Sequence, residues 1–289
     1  MNPLAFDFMQ RALVAAVLVG LTAPAVGVFL VQRRLALMGD GIGHVALTGV
    51  ALGFLLGTAP VLTAVVVATI GAVVIELVRQ QGRTGGDVAL ALLFYGGIAG
   101  GVLLISLSPA GSNANLLSYL FGSLTAVAPS DVAIIAALSS VLLLTLAVVG
   151  PQMFAVCHDE EYAAVAGLKV RWLNLLLAVM AAVTVTVAMR VVGLLLVSAL
   201  MVVPVATAQQ LVRGFRATVA VSLVVGVLAA TSGVLGSFYV DTAPGALIVV
   251  LALVGFALAT LAGTVLRRSR RSSAAAPAGV ALLPQGDAR

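Results

Sequence analysis

Gly39–Gly57, GDGIGHVALTGVALGFLLG, has the length and apolar content of a membrane-spanning helix, yet it carries Asp40 and His44 one turn apart. Ionisable side chains at bilayer depth are costly, and by default they mark a pathway or a site. Taking about 100° per residue and Asp40 as zero, His44 falls at about 40°, Leu47 at about −20° and Ala51 at about 20°. Gly49, Gly53 and Gly57 fall at about 180°, −140° and −100° on the same wheel. The glycine face permits close approach by a neighbouring helix. The other face presents a carboxylate and an imidazole one above the other, and such a pair can share one cation. Imidazole suits zinc, and a carboxylate adds affinity for zinc or manganese. Two ligands do not close a cage, which suits an ion in transit better than a structural ion. A His–Asp hydrogen bond that only fixes helix packing fits the same pair, and the residues alone leave both readings open.

The chain around this stretch is equally apolar. Its 289 residues are 62% hydrophobic and 9% charged, the composition of an integral membrane protein. The net charge of +5 sits beside apolar runs, so it reads as an orientation signal and not as a nucleic-acid footprint. The single cysteine, Cys157, excludes an intrachain disulfide framework and a multi-cysteine metal cluster. The first apolar run follows Arg11 with no small-residue cleavage site after it, and reads as a retained helix.

Nine apolar segments are expected to span or nearly span, at about 11–31, 36–57, 61–78, 88–107, 132–150, 172–189, 191–211, 217–236 and 246–266. Eight spans is the alternative, because 61–78 and some others are marginal. Ser108–Pro129 is apolar but short and interrupted, as an interfacial or re-entrant helix would be. Alternating the loops puts Arg33/Arg34, Arg79/Arg83, Lys169/Arg171, Arg213/Arg216 and the Arg267–Arg271 cluster on one side. Only Arg11 and Arg190 fall on the other. The positive-inside rule makes the rich side cytoplasmic, with the N-terminus outside and the C-terminus inside. Pro24, Pro204 and the Gly96-Gly97 and Gly100-Gly101 pairs permit kinks or close packing within spans. Residues 1–266 form the transmembrane domain, and the basic tail 267–289 is expected to be disordered.

Between the fifth and sixth spans lies Cys157–Trp172, CHDEEYAAVAGLKVRW. Asp159, Glu160 and Glu161 favour the start of a short helix, and Gly167 ends it. An exposed helix wedged between two spans is a plausible docking element for a cytosolic partner, though it also reads as a plain capped connector.

Three stretches together resemble the membrane-spanning permease of bacterial zinc/manganese ABC importers. They are Arg33–Phe54 (RRLALMGDGIGHVALTGVALGF), Gly82–Leu104 (GRTGGDVALALLFYGGIAGGVLL) and Asp159–Ala208, whose end reads LLLVSALMVVPVATA. The likeness runs to about Leu266 and leaves the basic tail outside it. The resemblance implies a homodimer of permeases, two cytosolic ATPase subunits and an extracytoplasmic metal-binding protein. It also implies that Glu161, Tyr162, Ala163 and Gly167 belong to a coupling element within about 157–171 that engages the ATPase. Asp40 and His44 match the positions of the family's metal site in the transmembrane pathway. The sequence has no G-x-x-x-x-G-K-[ST] phosphate loop, and its one lysine, Lys169, stands in no such context, so an ATP-driven cycle requires nucleotide on another polypeptide.

Other polar residues have plainer readings. Asp241, in SFYVDTAPGA, is a weaker pore-mouth candidate whose first reading is a turn former. Asp87 and Glu76 lie near Arg79 and Arg83 and are expected to form local ion pairs. His158 reads as a solvated loop residue, Cys157 as a small boundary residue, Trp172 and Tyr162 as interfacial aromatics, and Arg190 as a snorkelling side chain. The expectation is an all-α polytopic permease of eight to nine transmembrane helices, like the type II ABC importer permeases, in a bacterial inner membrane. It would pass zinc in preference to manganese, with no catalytic residue, no prosthetic group and no nucleic acid. Because both ligands must be deprotonated, metal affinity should fall below the histidine pKa. The rivals are an ABC permease for a metal chelate or cobalamin-type substrate, an ion-coupled secondary metal transporter, and a polytopic scaffold.

Overall fold

The computed structural model describes residues 3–81, 86–107, 118–125, 127–194 and 196–274, with side chains undescribed at 4, 86, 87 and 265–274. Regular structure among these residues is helical throughout. After one 3-10 turn at Pro3–Ala5 come α1 (Asp7–Gln32), α2 (Met38–Leu56), α3 (Pro60–Gln80) and α4 (Gly86–Ser106). Then follow α5 (Pro129–His158), α6 (Glu160–Val165), α7 (Val170–Ala188), α8 (Val197–Leu211), α9 (Phe215–Val240) and α10 (Pro244–Ala274). Proline opens α3, α5 and α10, where its missing N–H costs nothing and its fixed φ favours the helix. Gly57, at φ +64°, ends α2 in a left-handed cap that no Cβ-bearing residue adopts easily.

Eight of these helices are long and apolar enough to cross a bilayer: α1–α5, α7, α9 and α10. The ninth run, 191–211, does not form one continuous helix. Residues 189–194 turn, with Gly193 at φ +85°, and of the described residues that follow in this run only α8 is helical, about 22 Å long and short of the membrane's width. What holds the turn is backbone contact with the re-entrant region. Leu194 N–H donates to Tyr119 O at 2.9 Å. A Cβ on Gly122 would stand 2.4 Å from Val191 O, and one on Gly193 would stand 2.4 Å from the Phe121 carbonyl carbon. The stretch expected to form an interfacial or re-entrant helix, Ser108–Pro129, is described only at 118–125 and 127–129, while 108–117 and residue 126 lie outside the described residues. The tail expected to be disordered begins at 267: α10 runs on as helix through Ala274, against that expectation, while 275–289 lie outside the described residues.

Helices α1, α2 and α7 bury most of their length, whereas α4, α5 and α10 line the rim. Lipid tails are as apolar as leucine, so the helices associate through close packing of small residues. Gly20 and Pro24 of α1 meet Gly226 of α9, and Gly27 of α1 lies against the Met201 backbone of α8. The loop cations gather as the sequence reading requires. Arg33 pairs with Glu160 at 2.7 Å, Gln80 donates to Arg171 O at 3.3 Å, and Gln32, His158, Gln209 and Gly214 share one recess. At the opposite end, the Phe6 ring lies tilted against Phe238 and Arg190 pairs with Asp131.

Candidate metal centre

Helix α2 is enclosed on several sides, and its glycines set which neighbour meets which face. Gly49 and Gly53 lie against Ala64, Thr63 and Pro60 of α3, as the glycine face predicts. Gly57 meets nothing within 4 Å, so its use is as a cap and not as packing. Helix α4 closes on the other face through its own glycines: a Cβ on Gly97 would stand 2.6 Å from the His44 carbonyl carbon and 2.7 Å from Val45 N. Gly100 and Gly101 lie against Thr48 and Leu47. Thr48 Oγ1 donates to Gly97 O at 2.8 Å and fastens the two backbones. Gly97, Gly100 and Gly101 of α4 therefore serve packing against α2 beside His44, whereas a Cβ on Gly96 would meet nothing within 4 Å.

His44 is 8% exposed, and its ring stands edge-on to Phe94 with centroids 4.4 Å apart. Its Nδ1 is buried and, among the described residues, has no hydrogen-bond partner. A buried polar atom left unpaired carries its full desolvation cost, so it needs a reason to persist. Asp40, in the first turn of α2, is half-buried and close enough to act electrostatically on the imidazole. Its Oδ1 accepts one long hydrogen bond from Ser198 Oγ at 3.4 Å. Ser198 opens α8 just beyond the broken segment, about 20 Å along that helix from its Leu211 end. The pair therefore faces helix starts well inside the bundle. Among the described residues no third His, Cys, Asp or Glu joins it, so one copy supplies an open, two-ligand set.

A second polar assembly, which the sequence did not reveal, lies toward the other end. Asp131 is buried, accepts from Arg190 at 3.0–3.1 Å, and takes Ala128 N–H on Oδ2 at 3.0 Å. The Arg190 guanidinium also stands 4.8 Å over the Tyr119 ring. Arg190 thus does not snorkel to the surface as expected. A carboxylate offered at the start of α5 and an aromatic face offered by the re-entrant turn solvate it inside the protein. Asp131 in Pro129-Ser130-Asp131 carries a legible helix-start signal, the N3 acid that reaches back to the N-cap N–H. Its partner, 59 positions away, carries none.

The remaining candidates are placed as follows. Glu76 is 1% exposed and held bidentately by Arg79 at 2.8 Å, the local ion pair expected of it. The side chain of Asp87 lies outside the described residues. Asp241 caps α9 at φ +53°, the turn-forming role, and lines an open recess with Ser123, Thr125 and Thr242. Helix α6 is N-capped by Asp159, whose Oδ1 accepts Tyr162 N–H at 2.9 Å. Gly167, at φ +84°, ends it, with Leu168 N–H returning to Ala163 O. Glu160 anchors it inward to Arg33 and Asn174, and Arg33 also donates to Asn174 Oδ1. Ala163 is fully buried while Tyr162 and Val165 are 70% and 89% exposed, so the helix is rooted by one face and presents the other. Trp172 is exposed beside it.

These features define a polytopic helical membrane protein with a broken helix beside a carboxylate–imidazole pair. The comparison with known proteins specifies which. The ABC 3 transport family matches residues 5–263, and the chain belongs to that family, the metal-ion ABC permeases its three stretches resemble. It is 32% identical over 256 residues to the manganese transport system membrane protein MntC of Halalkalibacterium halodurans, covering 89% of this chain and 87% of that protein. It is 30% identical over 260 residues to the chelated iron transport system membrane protein YfeD of Yersinia pestis, covering 90% and 87%. Among solved structures it is similar to PsaBC from Streptococcus pneumoniae, determined in complex with Fab. There the TM-score is 0.79 at 31% identity, over 88% of this chain and 91% of that one.

Proposed function

We propose that this chain is the permease subunit of an ATP-driven importer of a divalent first-row transition metal, with Asp40 and His44 as ligands in the translocation path. The observation that carries this reading is the buried, unpartnered His44 Nδ1 beside a carboxylate that has only one long hydrogen bond. A packing bond between the two would have satisfied the imidazole. The set is two ligands short of a tetrahedral transition-metal site, and a homodimer that brought a second pair alongside would supply four. An ion held by so few ligands per copy is released when the copies separate, which is what alternating access needs. The two relatives described above are named for manganese and for chelated iron, so manganese takes precedence over the zinc that the imidazole favoured; mixed N/O donors accept either. The basic end faces the cytoplasm of a bacterial inner membrane. There Glu161, Tyr162, Ala163 and Gly167 form the coupling element for two separate ATPase subunits, and an extracytoplasmic binding protein delivers the ion at the end that carries Asp241.

The test is radiolabelled manganese and zinc uptake in the source cells, with the native gene replaced by wild type, Asp40→Ala or His44→Ala at matched protein level. Wild type restores uptake and both variants abolish it. Undiminished uptake by either variant refutes the site. Uptake that survives ATP depletion and follows the proton gradient refutes the ATP-driven class.

A further inference from the structure

We propose that the recess between α1, α5 and α9 binds an anionic phospholipid of the surrounding bilayer, its acyl chain along α5 and its phosphate on Arg213 and Arg216. The recess has a volume of about 900 Å³ and apolar walls that include Phe29 of α1 and Leu143, Leu146 and Gly150 of α5. From Leu143 to Phe154 it follows α5 for about 16 Å. That is close to one leaflet's half of a hydrocarbon core about 30 Å thick, the length an acyl chain covers. Gly150 meets no neighbouring atom within 4 Å of where a Cβ would stand, so the slot is open at that point. Its inner wall is fixed by aromatic contacts, Phe215 against Phe29 at 5.4 Å and against Phe154 at 4.5 Å.

The slot changes chemistry at the end that carries the loop cations. Arg213 and Arg216 line its mouth, both exposed, and among the described residues neither forms an ion pair. Beyond Phe154, Gly214 and Phe215, which both compartments share, lies a smaller recess of about 340 Å³. It is walled by the polar side chains of Gln32, His158, Gln209 and Thr218. An apolar channel of leaflet length that opens past two guanidiniums into a polar chamber is matched by a molecule with an acyl chain, a phosphate and a hydrogen-bonding headgroup. Basic pockets between membrane helices on the cytoplasmic side recognise anionic lipid in this way. A soluble phosphate would leave the slot unfilled. The proposal is independent of the metal reading, because none of these residues belongs to the Asp40/His44 site.

The experiment uses the full-length chain in mild detergent, with native mass spectrometry during titration of dioleoyl-phosphatidylglycerol or dioleoyl-phosphatidylcholine. Wild type is expected to hold phosphatidylglycerol in preference to phosphatidylcholine. R213Q/R216Q should weaken phosphatidylglycerol binding about thirtyfold, at about fivefold per surface arginine. G150L starts from a Cβ position that meets nothing within 4 Å and should reduce retention of both lipids, with helical circular dichroism and thermal unfolding the check that the fold is kept. Equal phosphatidylglycerol binding by wild type and R213Q/R216Q overturns the proposal, as does displacement of the lipid by millimolar inorganic phosphate. Spontaneous cross-linking of G150C between copies in a C157S background would also overturn it, because a second protein copy would then fill the slot.

Discussion

Two of the protein's ion-bearing assemblies, those at Asp131 and at Asp40, are treated in opposite ways. Around Asp131 both carboxylate oxygens are engaged: each takes Arg190, one also takes the Ala128 N–H, and the guanidinium lies over the Tyr119 ring. Around Asp40 almost nothing is paired, with one 3.4 Å bond from Ser198 and an imidazole nitrogen left without a partner. Both lie in a low-dielectric interior where unpaired polar groups are expensive. The difference separates architecture from function. The first assembly ties α5, the re-entrant turn and the broken segment before α8 into one unit. The second leaves bonding capacity open, which on the proposed reading is kept for an ion in transit.

The comparison predicts opposite failures. His44→Ala should lower metal uptake by roughly 100-fold or more, beyond the 10–100-fold typical of losing a residue that merely supports a ligand. It should cost no more than about 2 kcal/mol of stability in detergent, because the cavity left against Phe94 is partly offset by removal of an unpaired buried polar atom. If the variant instead failed to accumulate and its melting fell sharply, His44 would be structural after all and the contrast would collapse. Arg190→Ala should do the reverse, costing about 3–5 kcal/mol by stranding a buried carboxylate. The measured quantity is folded protein after detergent extraction. Arg190→Met combined with Asp131→Leu should recover most of the loss, since a buried ion pair replaced by packed apolar groups is often neutral. Failure of the double variant to recover would give the pair a role beyond holding the fold.

The contrast was only half legible in the sequence, for a physical reason. Asp40 and His44 stand one helical turn apart, so their shared face follows from periodicity, as do the Gly49 and Gly53 contact with α3 and the gathering of the loop cations at one end. The break before α8 was not legible, because 191–211 is apolar throughout and hydropathy registers composition, not backbone direction. Gly193 was the available mark, yet a glycine in a membrane helix more often signals packing than a turn. Arg190 in isolation resembled a residue reaching for the surface. Only the fold brings Asp131 and Tyr119 to it, across separations that no local pattern records. Ser198 was hidden likewise, quoted within LLLVSALMVVPVATA but without a reason to single it out.

Gly97 tests whether the site depends on the backbone beneath it. A valine there would drive its Cβ into the His44 carbonyl and the Val45 amide, which cannot swing aside as a flexible side chain could. Overpacking of this kind costs about 1–3 kcal/mol. The Thr48 bond to Gly97 O should lengthen, and uptake should fall even with both ligands in place. Full uptake by Gly97→Val would mean that α4 need not lie against His44 for transport.

The smallest effect belongs to Ser198→Ala. Hydrogen bonds to charged groups are worth about 1.5–3 kcal/mol at good geometry, and a 3.4 Å contact lies below that range. About 1 kcal/mol, or roughly a fivefold shift in the metal concentration for half-maximal uptake, is therefore expected, with the maximal rate nearly unchanged. The direction is informative as well. If Ser198 orients the Asp40 carboxylate toward the ion, the half-saturating concentration rises. If it competes with the ion for Oδ1, the same substitution lowers it. The geometry favours orientation, because the bond is too long to be a strong competitor and Ser198 sits at the start of α8, fixed by the same broken segment that Asp131 and Arg190 clamp. A fall in the half-saturating concentration would therefore separate the two assemblies entirely, and a rise that Arg190→Ala reproduced in the folded fraction would join them.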